Sequence, residues 1–168
     1  MQVPELPDDY EVEEPAMTFE GNAIIKAMTY GRQTGLLTVA EDTGLEVDAL
    51  NGRPGVLSAR YASGTDKDRY EKLISELKGV PEDERTARFI AVVAIYDPLT
   101  DKISTCDGIS EGKIAMEPRG NNGFGYDPVF IFSKFGKTGG ELTLEQKNSV
   151  SHRGNAFRKA KELLNRFA

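Results

Sequence analysis

The chain has no tryptophan, one cysteine (Cys106) and one histidine (His152) among its 168 residues. A lone cysteine excludes an internal disulfide and fits a reducing compartment. Without a Cys/His cluster there is no basis for a zinc site, so any metal is a hard cation held by carboxylates. No apolar run approaches the ~20 residues that cross a bilayer. The start is acidic and proline-rich rather than basic and then apolar, which excludes a secretory signal reading. A Walker-type glycine loop and a dinucleotide fingerprint are both missing. Cys106 lies in a strand candidate with no local activating partner, so it reads as structural rather than nucleophilic. The expectation is a soluble cytoplasmic protein with neither a membrane nor a nucleic acid as partner.

Bases are missing from residues 1–20, which hold seven acids: Glu5, Asp8, Asp9, Glu11, Glu13, Glu14 and Glu20. The net charge of −6 is therefore uneven. From Phe130 onward eight bases stand against three acids. An acidic start and a basic end can meet around a metal–polyphosphate ligand, or both can be solvated faces. The length suits one domain, residues 1–168, with a sizeable core.

Met1–Pro15 reads as an irregular lead-in. Thr18 then caps a helix whose apolar positions are Ala23, Ile24, Ala27, Met28 and Gly31, with Gly35 as its stop. Leu36–Ala40 is a short strand closing at Glu41-Asp42, and Leu45–Leu50 is another, ending in the hairpin signal Asn51-Gly52. Asp66–Lys78 is an amphipathic helix with the core stripe Tyr70, Leu73, Ile74 and Leu77. Ala87–Tyr96, Ile103–Ile109 and Val129–Phe132 are strands. Thr143 with Gln146 makes a capping box, and Ser151 caps a last helix with the apolar face Ala156, Phe157, Ala160, Leu163, Leu164 and Phe167. The partial alternation of helices and strands predicts an α/β fold with a mixed sheet.

Three places carry chemistry. Gly120-Asn121-Asn122-Gly123-Phe124-Gly125-Tyr126-Asp127-Pro128 packs three glycines and two aromatics into nine residues. Its glycines allow close approach of a ligand to the main chain, and Phe124 and Tyr126 offer flat faces on which a base can stack. Glu41-Asp42-Thr43-Gly44 places two acids at a strand end, a pattern suited to Mg²⁺, and Glu13-Glu14 is a second acidic pair. Adjacent strand residues face opposite sides, so one of Glu41 and Asp42 faces the ligand. Ser151-His152-Arg153 at a helix N-terminus, with Lys147 four residues before Ser151, makes an anion or base-edge site.

Thr18-Phe19-Glu20-Gly21-Asn22-Ala23, Ala40-Glu41-Asp42-Thr43-Gly44-Leu45, Gly52-Arg53-Pro54-Gly55-Val56 with Ser58-Ala59-Arg60-Tyr61, Gly123-Phe124-Gly125-Tyr126-Asp127-Pro128 and Ser151-His152-Arg153-Gly154 occur in an order and spacing that resemble the inosine/xanthosine triphosphate pyrophosphatases. These are house-cleaning enzymes that remove deaminated purine nucleotides. The resemblance implies a central sheet flanked by helices, two lobes around a substrate cleft, a homodimer, and Mg²⁺-dependent hydrolysis of ITP, dITP and XTP to monophosphate and pyrophosphate. It makes Asp42 the catalytic acid and a metal ligand, with Glu13 or Glu14 as the second metal carboxylate. Thr43, Phe124, Gly125, Tyr126, Asp127, Lys147, His152 and Arg153 become substrate contacts. Family members usually open with a strand and a Thr/Ser-x-Asn-x-x-Lys loop that binds the triphosphate. This chain starts after that unit, so either the reading frame begins late here or the protein is a shortened relative with weakened or lost activity, the alternative function being a non-catalytic nucleotide-binding protein.

Overall fold

The computed structural model describes residues 11–165 and Phe167. Most of the acidic lead-in therefore lies outside the described residues, and positions 11–16 are irregular. Helix α1 is Phe19–Thr34. Thr18 caps it by accepting the Gly21 N–H at 3.1 Å, and Gly35 ends it in the left-handed region with φ +70°. Its buried face is Phe19, Asn22, Ala23, Ala27 and Gly31, a helical stripe that begins on an aromatic ring and continues with small residues and one polar member.

The sheet consists of β1 (Thr38–Val47), β2 (Pro54–Gly55), β3 (Thr86–Asp97), β4 (Lys102–Ile114), β5 (Phe130–Phe132) and β6 (Lys137–Thr138). Their order across it is β2-β1-β3-β4-β5-β6. Helices α2 (Asp66–Glu76), α3 (Leu144–Val150) and α4 (His152–Leu164) complete the regular elements. The expected helix-flanked sheet is thus present, but every pairing among the described residues is antiparallel rather than mixed. The β3–β4 hairpin sets this direction, and β1 runs against β3 because α2 and its flanking turns bring the chain back at the end where β1 finishes, Val47 pairing with Ala87.

Strand β3 explains its own composition. Val92, Ala94 and Tyr96 pack under α1 on one face. Ala91, Val93 and Ile95 pack under α4 on the other. A strand covered on both faces has no polar side to show, so its sequence is an apolar run rather than an alternation. A further apolar cluster joins α2 and its C-cap (Leu73, Leu77) to the far end of β1 (Leu45, Val47) and to Phe130 and Phe132 of β5. The stripe expected of the second helix is core, as read from its spacing. Arg85 ties this cluster together: its guanidinium is buried and donates to the carbonyls of Leu77, Val80 and Ala115.

Two expectations need correction. Leu36–Ala40 and Leu45–Leu50 are not separate strands, because β1 runs unbroken from Thr38 to Val47 and pairs along its length with β3. Glu41 and Asp42 therefore sit mid-strand, and a short helical turn, Asp48–Leu50, leads into the Asn51-Gly52 turn. Phe157 lies on the exposed side of α4, whereas Ala156 and Ala160 form its buried contact.

Candidate active site

The alternation of β1 sends its two central acids to opposite sides of the sheet. Asp42, opposite Val92, faces α1. There Lys26 Nζ donates to Asp42 Oδ1 at 2.9 Å and to Glu14 Oε1 at 2.8 Å. Asn22, fully buried one helical turn earlier, donates to Asp42 Oδ2 at 3.4 Å and accepts the Ala16 N–H at 2.9 Å. Burial works against the Lys26 ammonium, but the hydrogen bonds to Glu14 and Asp42 outweigh it and hold its pKa above the ordinary lysine value. Of the second acidic pair it is Glu14 that meets this cluster; Glu13 is exposed on the wall of the adjoining cleft, which Lys26, Tyr30 and Arg60 also line. Two carboxylates converging on one cation present the hard oxygen donors that Mg²⁺ takes alongside phosphate and water. Among the described residues no three His, Cys, Asp or Glu side chains gather, so the protein side of such a site is these two carboxylates.

Glu41 and Thr43 face α4. Glu41 accepts from Arg153 Nε at 2.6 Å. A cleft of about 190 Å³ opens on this side, lined by Thr43, Phe124, Tyr126, Lys147, His152 and Arg153 among others. Phe124 is 62% exposed at its mouth. Lys147 Nζ lies 4.5 Å and Arg153 Cζ 5.5 Å from the Phe124 ring centroid. An aromatic platform ringed by cations suits an electron-rich, oxygen-bearing ring.

The glycine-rich segment builds this platform. Gly123 adopts φ +78°, and a Cβ there would run into the Asp127 carboxylate. Asp127 is buried; it accepts the Phe124 N–H at 2.8 Å and pairs with Lys147. Tyr126 differs from expectation: it is buried, with its hydroxyl donating to the Ser58 carbonyl at 2.9 Å, so it walls the cleft rather than offering an open stacking face. Burial pushes its phenol pKa up.

Ser151 caps α4 by accepting the Gly154 N–H at 3.1 Å. The next residue, His152, is buried and stacks on Phe89 with ring centroids 4.7 Å apart. Burial, reinforced by Arg153 and Lys147, drives its pKa down to about 3. A neutral imidazole therefore lines the cleft, and its buried Nδ1 has no partner among the described residues.

Glu14, Asp42, Thr43, Phe124, Gly125, Tyr126, Asp127, Lys147, His152 and Arg153 thus lie around two adjoining clefts. Ser58 and Ala59 line the cleft beside Phe124 and Arg60 the one beside Lys26, so one short turn borders both. The sequence reading missed Lys26, Asn22, Asp66 and Arg69. Asn22 and Lys26 carried a signal, since i and i+4 on a helix following a cap share a face. Asp66 and Arg69 carried none, because they read as the solvated first turn of α2.

Comparison with known proteins gives a consistent answer. The model of the Ham1 family matches residues 1–163. The dITP/XTP pyrophosphatase of Desulforamulus reducens is 51% identical over 169 residues, covering 99% of this chain and 83% of the relative. The dITP/XTP pyrophosphatase of Bacillus subtilis is 48% identical over 157 residues, covering 92% of this chain and 78% of the relative. Among solved structures, the HAM1 protein of Coxiella burnetii superimposes with a TM-score of 0.88 at 42% identity over 94% of this chain and 81% of its own. The Staphylococcus aureus Ham1 protein does so with a TM-score of 0.89 at 40% identity, over 95% of this chain and 83% of its own. On a family match that spans nearly the whole sequence, and on relatives near half-identical, the chain belongs to the Ham1 family.

Proposed function

We propose that this protein hydrolyses deaminated purine nucleoside triphosphates (ITP, dITP and XTP) to the monophosphate and pyrophosphate. The observation that carries the reading is the split across β1, where neighbouring residues serve two different clefts. Asp42 joins Glu14 and Lys26 on one face, while Glu41 holds Arg153 beside Phe124 on the other. A nucleotide lying across this strand puts its phosphates at the first and its base at the second. Relatives in the family that are named dITP/XTP pyrophosphatases support the same substrates.

Asp42 takes the proton of the attacking water. The water oxygen bonds to the α-phosphorus as the bridging bond to the β-phosphate breaks, and pyrophosphate leaves with the electron pair. Lys26 places a positive charge where negative charge builds up. Glu14 and Asp42 are the carboxylates that would hold Mg²⁺, which when bound supplies further neutralisation of the phosphates. Thr43 contacts the substrate on the other face of β1, in the cleft that holds the base. Phe124 packs on the purine, and Lys147 and Arg153 donate to its keto oxygens. Asp127 keeps Lys147 and the Phe124 backbone in place, and His152 and Tyr126 wall the pocket. A 6-keto purine presents an acceptor where adenine presents an amino donor, so a donor-lined pocket leaves adenine with an unpaired group, which is costly when buried.

The same reading makes the chain one catalytic domain, a cytoplasmic homodimer with no nucleic-acid or membrane partner. No helix among the described residues is long and apolar enough to cross a membrane. The test is pyrophosphate release from ITP, XTP, ATP and GTP with Mg²⁺. Release from ITP and XTP, with ATP poorer by at least about a hundredfold in kcat/KM, is expected. Asp42→Asn should lower kcat by about 10²–10⁴-fold while far-UV circular dichroism stays unchanged. Equal turnover of ATP, or full activity of Asp42→Asn, overturns the reading.

A further inference from the structure

We propose that Asp66 is a positioning residue for base recognition, holding the Phe124 platform in place through the Gly125 backbone. The inference rests on the functional reading above and deepens it. Gly125 lies between Phe124, whose ring is open to the cleft, and Tyr126, whose ring is buried in its wall. Its φ of +61° turns the chain at that point, so its N–H does not join a helix or strand. The group that accepts this N–H comes from a different element: Asp66 Oδ2, at 2.7 Å, from the first turn of α2 and 59 residues away in sequence.

The partner oxygen of Asp66 is held as well. Arg69, one turn along α2, pairs with Asp66 Oδ1 and donates to the Gly64 carbonyl at 3.3 Å. The carboxylate is therefore gripped on one oxygen and presents the other to Gly125. Both Asp66 and Arg69 line the cleft. The neighbouring Phe124 N–H is taken by Asp127 from within the segment, and the Asn122 N–H by the Gly140 carbonyl. Asp127 thus fixes the internal shape of the loop, Asn122 and Tyr126 anchor its flanks, and Asp66 holds its tip at Gly125, next to the Phe124 ring. Loss of the Asp66 contact leaves the chemistry at Asp42 intact and the core intact, but lets the platform drift from the base. A charge-assisted hydrogen bond to a backbone N–H is among the stronger tethers available to a loop.

The experiment compares the wild type with Asp66→Ala, Asp66→Asn and Arg69→Met. Steady-state hydrolysis of ITP gives KM and kcat, calorimetric titration with IMP gives base binding without turnover, and thermal unfolding checks the fold. Asp66→Ala should raise KM and the IMP dissociation constant about tenfold with kcat within about threefold. Asp66→Asn keeps one acceptor oxygen for Gly125 and should fall between wild type and Asp66→Ala. Arg69→Met frees the carboxylate without removing it and should raise KM about threefold. Unchanged KM and IMP affinity in Asp66→Ala, or a fall in kcat alone, overturns the proposal. If Asp66→Ala does not fold, wild-type KM in both Asp66→Asn and Arg69→Met overturns it equally. If the wild type hydrolyses no ITP, the hydrolase reading fails, and IMP binding by the variants still decides the role of Asp66.

Discussion

Because His152 is the only histidine of the chain, its protonation can be followed as a single imidazole signal without assignment. Its pKa drops from the ordinary 6.5 to about 3, through burial first and then through Arg153 and Lys147. The depressed value means that the folded state binds fewer protons than the unfolded chain between those two pH values. Stability from this residue is thus complete above pH ~6.5 and is lost as pH falls toward 3. Proton NMR at pH 5 should show a neutral ring; titration near pH 6.5 would contradict the buried, Phe89-stacked placement. The stability advantage of wild type over His152→Gln, from urea midpoints, should shrink by about 2 kcal/mol between pH 7 and pH 5. The sequence placed His152 correctly at a helix N-terminus beside Arg153. It could not show that the ring is neutral, because that depends on Phe89, which arrives from a strand 63 positions earlier in the chain.

Among the elements, α4 shows how packing sets the site. Its first turn lies directly against β4 at Gly108, where a Cβ would strike the His152 carbonyl and the Ala156 N–H. Only the bare backbone of glycine lets α4 sit low enough for His152 to reach Phe89 and Arg153 to reach Glu41. Gly108→Ala should therefore cost about 2–3 kcal/mol in urea unfolding and also raise KM for ITP severalfold. A stable variant with unchanged KM would mean that the helix seat does not control the base side. The caps of α1, α3 and α4 were legible, because Thr18, Thr143 and Ser151 act on residues three positions away. The continuity of β1 was not. The polar run Glu41-Asp42-Thr43 looks like a turn, yet each of its members has a partner: Arg153 for Glu41, Lys26 and Asn22 for Asp42, and the Ile90 carbonyl for Thr43. Those partners come from α1, α4 and β3, so local propensity could not reveal them.

For the molecule as a whole, the apolar clusters fall on two sides of the base cleft. The packing of α1 and α4 against β3 lies on one side, and α2 with β5 and its neighbours lies on the other. The cleft takes lining residues from both: Thr43 and Arg153 from the first, Asp66 and Gly125 from the second. A ligand seated there adds contacts between parts that otherwise share the long strands. It binds the folded state alone, so it stabilises by RT ln(1 + [L]/Kd), about 2.7 kcal/mol at a hundred times Kd. In a chain of 168 residues this corresponds to a rise in Tm of roughly 5–10 °C. IMP at that concentration should give such a shift. AMP at the same concentration should give under about 2 °C, because its amino group meets donors rather than acceptors, and a hundredfold weaker affinity leaves the site only half filled. Equal shifts with both nucleotides would show a pocket that holds purines without reading the 6-position, and would move selectivity away from Lys147 and Arg153. A shift with IMP alone ties selection to the ground-state base pocket, before any bond to phosphorus is made.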